Sequence, residues 1–275
     1  CRAVRAALAM SSPALAAEYP PLERVRWPGL AEFRSRYARR GRPVVLEGLA
    51  EDWRACTRWC PEYFAERYGG TRVRAYAQKD GRISVDPKHG FRLLDLTLAE
   101  YVERAQKTVP DCVLRLELPG VLPQLLDDLQ VPDYCAGRSG LRRNVWFAGE
   151  GSISDVHFDL PHNFYAQLHG RKRFILFEPG ERWRLYKNGW FSSMPQFARV
   201  DPERRDDPAF PRFREADGRS ALLEPGDVLF IPSLHWHHAR ALTLSIAVNF
   251  WTPVGVVKPL LFASDVFKRV RQLRR

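Results

Sequence analysis

The most constraining feature of the sequence is a series of short apolar segments in its second half, separated by Gly and Pro turns. Between residues 144 and 252 these segments read NVWFAG, SDVHFD, NFYAQLHG, KRFILFEP, SALLEPGDVLFIP, HWHHARAL and LSIAVNFW. Closely spaced short strands are typical of a double-sheet barrel or sandwich rather than of a parallel sheet. We therefore expect a mainly β fold with flanking helices.

The first half of the chain mixes helical and strand patterns. Residues 30–68 predict a helix, a short strand and two further helices. Residues 71–118 contain the strand candidates TRVRAYAQ and DCVLRLEL around a predicted helix that Thr97 caps, with Glu100 three places on. The charged, Pro-rich segment 180–219 predicts a loop insertion over one end of the barrel.

These patterns divide the chain into four parts. Residues 1–20 have a basic start like a signal peptide, but Ser-Ser-Pro interrupts the apolar run, so we expect a disordered leader, with export as the alternative. Residues 21–143 support the barrel, and residues 144–253 form the core. Residues 254–275 predict a helix that either packs on its own domain or forms a homodimer. Its apolar stripe comprises Leu260, Leu261, Phe267, Val270 and Leu273.

Composition limits the class of protein without fixing its function. The 275 residues are 45% hydrophobic, and 43 Lys and Arg against 32 Asp and Glu give a net charge of +11. This charge suits a nucleic acid, an acidic peptide or an anionic metabolite, but a solvated basic surface explains it equally well. Five scattered cysteines favour a reducing, cytoplasmic location over a disulfide framework. No apolar run is long enough to predict a membrane span.

The stretch SDVHFDLPHNF contains a candidate metal site. Seven His and 32 acidic residues would produce about 0.8 His-x-acid pairs by composition alone, so the pair His157 and Asp159 carries no weight by itself. On a strand, however, residues two apart point to the same face. A third ligand is available among His235, His237 and His238. Two His and one carboxylate with open positions form the facial triad of non-haem Fe(II) oxygenases.

The segment HGRKRFILFEP supplies a candidate anion-binding group. Lys172 shares one strand face with Phe174 and Leu176, while the flanking arginines share the other face. An isolated cation on a core-facing stripe is costly unless an anion meets it. We therefore expect Lys172 to point inward and to bind an acidic cosubstrate.

From about Arg42 to Pro253 the chain resembles the cupin-fold JmjC oxygenases of the small hydroxylase type. That group includes the asparaginyl hydroxylase of hypoxia-inducible factor and the tRNA wybutosine hydroxylase. The resemblance depends on an ordered series of motifs: PVVLEGLAEDW, HFDLPHNFYAQLHGRKRFILFEP, VDPERRDDPAFPRF, EPGDVLFIPSLHWHHA and SIAVNFW. It implies a double-stranded β-helix, also called a jelly roll, that uses Fe(II) and 2-oxoglutarate.

The resemblance also implies individual roles. The metal ligands would be His157, Asp159 and His237, leaving the other histidines in exposed positions or around these ligands. The cosubstrate residues would be Lys172, Asn163, Ser154 and Asn249, and the substrate pocket would include Trp251, Tyr165 and Arg115. One departure is visible, because an aromatic hydroxyl often assists the cosubstrate from an earlier strand where this chain has Val113. Ser154 and Arg115 are the candidates to replace it.

The implied reaction hydroxylates a C–H bond while 2-oxoglutarate and dioxygen become succinate and carbon dioxide. A protein or peptide side chain is the expected substrate by analogy with the family. An RNA or small-molecule hydroxylase of the same chemistry is one alternative. A metal-binding cupin that has lost catalysis and serves as an interaction module is another.

Overall fold

The computed structural model describes residues 19–86, 90–189 and 192–255. Several sequence predictions therefore lie outside the described residues. They concern His89, nearly all of the leader, and the C-terminal helix with its proposed dimer contact.

Short helices occupy the first half of the described chain, as predicted. The helix Leu98–Ala105 begins with a capping box, in which the Thr97 hydroxyl accepts from the backbone N–H of Glu100 and the Glu100 carboxylate accepts from the backbone N–H of Thr97. This pairing satisfies two N–H groups that the first helical turn leaves free. The helices are α1 (Leu30–Phe33, continued by a π-helix over Arg34–Ala38), α2 (Arg54–Arg58), α3 (Pro61–Tyr68), α4 (Leu98–Ala105) and α5 (Leu118–Val121), with 3₁₀-helices at Pro123–Asp128, Pro179–Trp183 and Pro211–Glu215.

Strands dominate the second half of the described chain. In chain order they are β1 (Arg24–Val25), β2 (Val44–Leu46), β3 (Arg72–Lys79), β4 (Arg82–Ile83), β5 (Val85–Asp86), β6 (Gly90–Phe91), β7 (Leu93–Thr97), β8 (Cys112–Glu117), β9 (Arg142–Ala148), β10 (Ile153–Phe158), β11 (His162–His169), β12 (Lys172–Phe177), β13 (Gly218–Leu223), β14 (Val228–Ile231), β15 (Trp236–Ala241) and β16 (Ser245–Thr252).

Fourteen of the described strands form two walls of one folded sheet, and β5 and β6 form a separate two-stranded sheet. The first wall has the order β1-β2-β14-β11-β16-β9-β8-β3, with β7 also beside β3, and the second wall has the order β4-β10-β15-β12-β13. Pairing of β3 with β4 joins the two walls. Nearly all pairings are antiparallel, and the order agrees with the predicted jelly roll of the cupin type.

Side-chain alternation places one apolar core between the walls and another outside the first wall. Tyr165 and Leu229 of the first wall meet Phe174, Leu176 and other residues of the second wall in the inner core. The helices cover the opposite face of the first wall in a larger cluster that includes Trp59 and Tyr101. Lys172 is 6% exposed and lies on the inner face with Phe174 and Leu176, as predicted.

The predicted insertion packs on the outer face of the second wall. Val200 and Phe213 from this segment contact a cluster that contains Val156, Phe177 and Trp236. The insertion also pairs with the free edge of β10, because the N–H of Ala198 donates to the carbonyl of Val156 at 2.8 Å. In the described part of the chain, no helix is long and apolar enough to cross a membrane.

Candidate metal and cosubstrate site

Two histidines and an aspartate meet on the inner face of the second wall. His157 of β10 and His237 of β15 are direct register partners, and their ring centroids are 4.2 Å apart. Asp159 follows the end of β10, and its Oδ2 lies 3.7 Å from His237 Nε2. One ligand atom from each of the three residues lies within 4.8 Å of the others. The distant His237 thus joins the local pair, as the resemblance to the JmjC oxygenases implied.

Backbone carbonyls orient both imidazole rings. His157 Nδ1 lies 2.7 Å from the Asp155 carbonyl, and His237 Nδ1 lies 3.1 Å from the His235 carbonyl. A carbonyl can only accept, so each Nδ1 carries the hydrogen and each Nε2 keeps its lone pair for a metal. Burial is the main cause that holds the pKa of His237 well below its usual value, and the nearby His157 ring adds to it because two adjacent rings cannot readily both carry a proton charge. The ring is therefore neutral, as a metal ligand must be.

The donor set fits a divalent transition metal. Two neutral imidazole nitrogens and one carboxylate on strand walls are the ligands that non-haem Fe(II) sites use, and such a triad leaves other coordination positions for a cosubstrate. Phe197 of the insertion stacks on His157, with centroids 5.2 Å apart and planes at 20°. Sequence patterns gave no signal for Phe197, because the insertion has no regular periodicity.

Lys172 places a buried amino group between the two walls. Its ammonium donates to the Tyr165 hydroxyl at 2.7 Å, across the space between the walls. Burial alone lowers the pKa of Lys172 to about 7, and burial also raises the pKa of Tyr165. Lys172 is therefore a desolvated amino group whose polar contact is a neutral hydroxyl, and an incoming carboxylate would stabilise its charged form. We predicted Tyr165 for the substrate pocket, whereas its hydroxyl contacts Lys172.

The other predicted cosubstrate residues share the inner face. Asn163 is buried, and its Oδ1 has no hydrogen-bond partner among the described residues. The indole N–H of its register partner Trp251 is also buried and has no hydrogen-bond partner among the described residues. Asn249 Oδ1 accepts from Asn144 at 3.0 Å, and Ser154 lies opposite Ala239 near the triad. The unpaired Asn163 and Trp251 atoms are available to a bound polar group.

The position of Val113 agrees with the predicted departure from the JmjC pattern. Val113 packs with Ala148 and Ala241 and contributes no hydroxyl. The hydroxyl next to Lys172 comes instead from Tyr165 on β11. Arg115, one of the predicted substitutes, lies with its guanidinium 5.4 Å from the Trp251 ring centroid. The described contacts therefore favour Tyr165 over Ser154 and Arg115 as the replacement.

Comparison with known proteins agrees with this geometry. The family model described as a cupin-like domain matches residues 30–252, which is most of the chain. The chain belongs to the cupin-like domain family. Its relatives include JmjC proteins, and the JmjC family uses Fe(II) and 2-oxoglutarate.

Three relatives show the range of this family. Lysine-specific demethylase 8 of Xenopus tropicalis is 33% identical over 84% of this chain and 52% of its own length. The bifunctional peptidase and (3S)-lysyl hydroxylase of Homo sapiens is 26% identical over 76% of this chain and 77% of its length. tRNA wybutosine-synthesizing protein 5 of Danio rerio is 27% identical over 76% of this chain and 68% of its length. The chain spans about half the length of the demethylase relatives.

The remaining described histidines of this cupin-like domain lie away from the triad. His162 is buried, and its Nδ1 accepts from the N–H of Ser233 at 2.9 Å. His169 is partly buried, and His235 is buried beside the triad strand. Burial lowers the pKa of both His162 and His235 to about 4, so both rings are neutral at physiological pH.

His238 belongs to a second cluster, on the outer face of the second wall. It is 1% exposed and lies within 4.8 Å of carboxylate atoms from Asp201 and Glu203 of the insertion. Arg82 bonds Asp155 and Asp201, and Arg240 bonds Glu203. Strand arginines therefore bind both insertion carboxylates and hold the insertion against β10 and β15. Sequence reasoning did not find this cluster, because its members come from distant segments.

Proposed function

We propose that this cupin-like domain is an Fe(II)- and 2-oxoglutarate-dependent oxygenase that hydroxylates a C–H bond of a protein or peptide side chain. The proposal depends on one observation: the same barrel holds a facial triad and a buried lysine that can bind a carboxylate. A metal site alone would suit many cupins. The two features together suit a metal ion that works with a dicarboxylate.

Each residue has a separate task in this proposal. His157, Asp159 and His237 hold the iron, which when bound supplies the redox chemistry that couples dioxygen to C–H hydroxylation. Lys172 and the Tyr165 hydroxyl bind the far carboxylate of 2-oxoglutarate, and Asn163 orients the cosubstrate. One oxygen atom of dioxygen enters succinate, and the other enters the hydroxylated product. Trp251 and Phe197 limit the access of water.

The proposed substrate class follows the names of the relatives. A lysyl hydroxylase and a demethylase point to proteins, and the wybutosine-synthesizing relative makes tRNA the second candidate. The net charge of +11 also favours the tRNA alternative. Steep loss of RNA binding with added salt would support that alternative, whereas absent or salt-insensitive binding would exclude it.

Succinate formation from 2-oxoglutarate tests the proposal. We expect the wild-type protein with Fe(II), dioxygen and a cell extract to form succinate and add one oxygen atom to protein components, as measured by mass spectrometry. Asp159→Ala should abolish both signals, whereas Asp133→Ala, at an exposed carboxylate, should retain them. Equal turnover by the Asp159 variant would refute the metal assignment. No turnover by a wild-type protein that binds iron would favour the inactive interaction module.

The proposal also covers the location and the oligomeric state of the protein. We propose a cytoplasmic location because Cys60, Cys112 and Cys135 are buried free thiols in the described part of the chain. A homodimer through residues 254–275 is proposed from the apolar spacing of the sequence. Light scattering of the full chain and of a version that ends at Pro253 tests it, and a monomer in both cases would refute it.

A further inference from the structure

The first wall forks where β3 and β8 separate. The two strands pair through Ala75↔Leu114, Tyr76↔Val113 and Ala77↔Cys112. Continued pairing would set Arg74 opposite Arg115, but like charges directly opposite each other destabilise a strand pair. Each strand continues instead with its other neighbour, β7 or β9. The fork thus keeps Arg74 and Arg115 from facing each other as a like-charged pair.

A groove of about 380 Å³ occupies the fork. Its charged lining consists of Arg72, Arg74, Asp95, Arg115 and Glu117. Arg74 pairs with Asp95 at 3.0 Å. Within the described ranges, Arg72 and Arg115 form no direct ion pair with a carboxylate, so their guanidinium groups can bind an added one, and three arginines against two acidic residues leave the lining with a net positive charge.

Arg115 links the lining of the groove to Trp251 of β16. The guanidinium of Arg115 lies over the ring of Trp251, which is two strands away across β9. Trp251 is in turn the register partner of Asn163, one of the proposed cosubstrate residues. A chain lying in the groove would therefore lead past Arg115 and Trp251 toward the proposed reaction site.

The shape of the fork favours a polypeptide. On the side that faces β3, no described strand pairs with residues 115–117 of β8. A strand edge of this kind offers backbone N–H and C=O groups to an added extended segment. Asp95 and Glu117 would repel a continuous phosphate backbone, whereas a peptide can match individual cations with individual side chains.

We propose that the fork groove binds an extended peptide segment with carboxylate side chains, which delivers the adjacent residue to the barrel for hydroxylation. The inference rests on the proposed function for its purpose, but the binding event can be tested separately. Arg72 and Arg115 are the groups that recognise the acidic side chains. Acidic segments next to the hydroxylated residue are thus the expected substrate class.

Fluorescence anisotropy with defined probes tests the groove. The probes are a labelled peptide with Glu at alternate positions, the same peptide with Lys, and an oligouridine RNA of equal negative charge. We expect the Glu peptide to bind the wild-type protein. The double variant Arg72→Glu/Arg115→Glu should bind this peptide about tenfold more weakly. The control double variant Arg39→Glu/Arg67→Glu makes the same change in net charge at exposed positions outside the groove and should weaken it about twofold or less.

Several results would overturn the inference. One is failure of the Glu peptide to bind the wild-type protein. Another is an equal loss of Glu-peptide affinity in both double variants. A third is a larger loss of affinity for the RNA than for the Glu peptide in the Arg72→Glu/Arg115→Glu variant. The last result would assign the groove to phosphate groups. If the double variant does not fold, Arg72→Glu alone keeps the test available, because Arg72 is exposed and its replacement should still weaken the peptide more than Arg67→Glu does.

A peptide library separates this inference from the proposed function. After incubation of digested cell protein with the enzyme, Fe(II), 2-oxoglutarate and dioxygen, we expect oxygenated peptides to be enriched in Asp and Glu near the modified residue. Oxygenation without this enrichment would refute the groove and leave the proposed function intact. Binding of the Glu peptide without any oxygenation would support the groove and refute the function.

Discussion

The two faces of the second wall carry similar residue types but different electrostatic surroundings. His237 and His238 are consecutive residues of β15 that point to opposite faces, and each lies near further acidic or imidazole ligand atoms. On the inner face, His157 and His237 are oriented by backbone carbonyls, which leaves their Nε2 atoms directed at Asp159. On the outer face, arginines already bind the acidic groups.

Because of this difference, the inner cluster suits a divalent cation better than the outer cluster does. The inner triad combines one carboxylate with two neutral rings, so a divalent ion adds attraction and displaces no internal cation. An ion in the outer cluster would lie next to the guanidinium groups of Arg82 and Arg240. We therefore interpret the inner face as a binding site and the outer face as an architectural ion-pair network that anchors the insertion.

The largest expected effect concerns Lys172, the inner cation. Lys172→Met should raise the KM for 2-oxoglutarate about a hundredfold, because a buried carboxylate would lose its charged partner. Arg171→Met removes a neighbouring cation that does not share the Lys172 face and should change the KM little. Steady-state succinate assays give both values. A larger effect at Arg171 would mean that the inner face has been assigned to the wrong residues.

Sequence patterns predicted the groups that follow strand alternation. His157 and Asp159 are two apart, and Lys172 alternates with Phe174 and Leu176, so local periodicity placed them on inner faces. Strand alternation also places Tyr165 on an inner face, but its contact with Lys172 depends on how the two walls face each other. Phe197 and the outer cluster depend on the path of the insertion, and the fork depends on the balance between two strand neighbours. Such long-range contacts leave no periodic signal in the sequence.

The outer network should affect stability and leave iron binding unchanged. Glu203→Gln removes the carboxylate that binds Arg240 and should lower the free energy of unfolding by about 2 kcal/mol, since the pair is partly buried. Denaturant unfolding measures this change, and calorimetric titration with Mn(II) measures the metal site. Loss of metal affinity with unchanged stability would reverse the roles of the two faces.

The inner cation also predicts a pH dependence. Burial lowers the pKa of Lys172 to about 7, so the ammonium loses its proton as the pH rises above that value. Because the cosubstrate carboxylate attracts the charged form, the Kd for 2-oxoglutarate should rise about tenfold from pH 6 to pH 8. Lys172→Arg keeps its charge in this range and should give a flat profile, provided that it binds. A flat wild-type profile would show that Lys172 stays charged without the cosubstrate.

The smallest predicted effect tests the proposed role of the Tyr165 hydroxyl in cosubstrate binding. Tyr165→Phe removes the hydrogen-bond acceptor of Lys172 and should weaken 2-oxoglutarate binding about fivefold. Tyr186→Phe removes a hydroxyl on the insertion and serves as the control. Calorimetric titration of both variants gives the comparison. Equal affinities would assign the Tyr165 hydroxyl to packing alone.

The central claim is that the inner cluster, and not the outer one, holds the metal. The most direct measurement is the Fe(II) content of the wild-type, Asp159→Ala and His238→Gln proteins after anaerobic loading and removal of free ion. We predict one iron per chain in the wild-type and His238 proteins and nearly none in the Asp159 variant. Two iron ions per wild-type chain would contradict this assignment. So would loss of iron from the His238→Gln protein together with its retention by the Asp159→Ala protein.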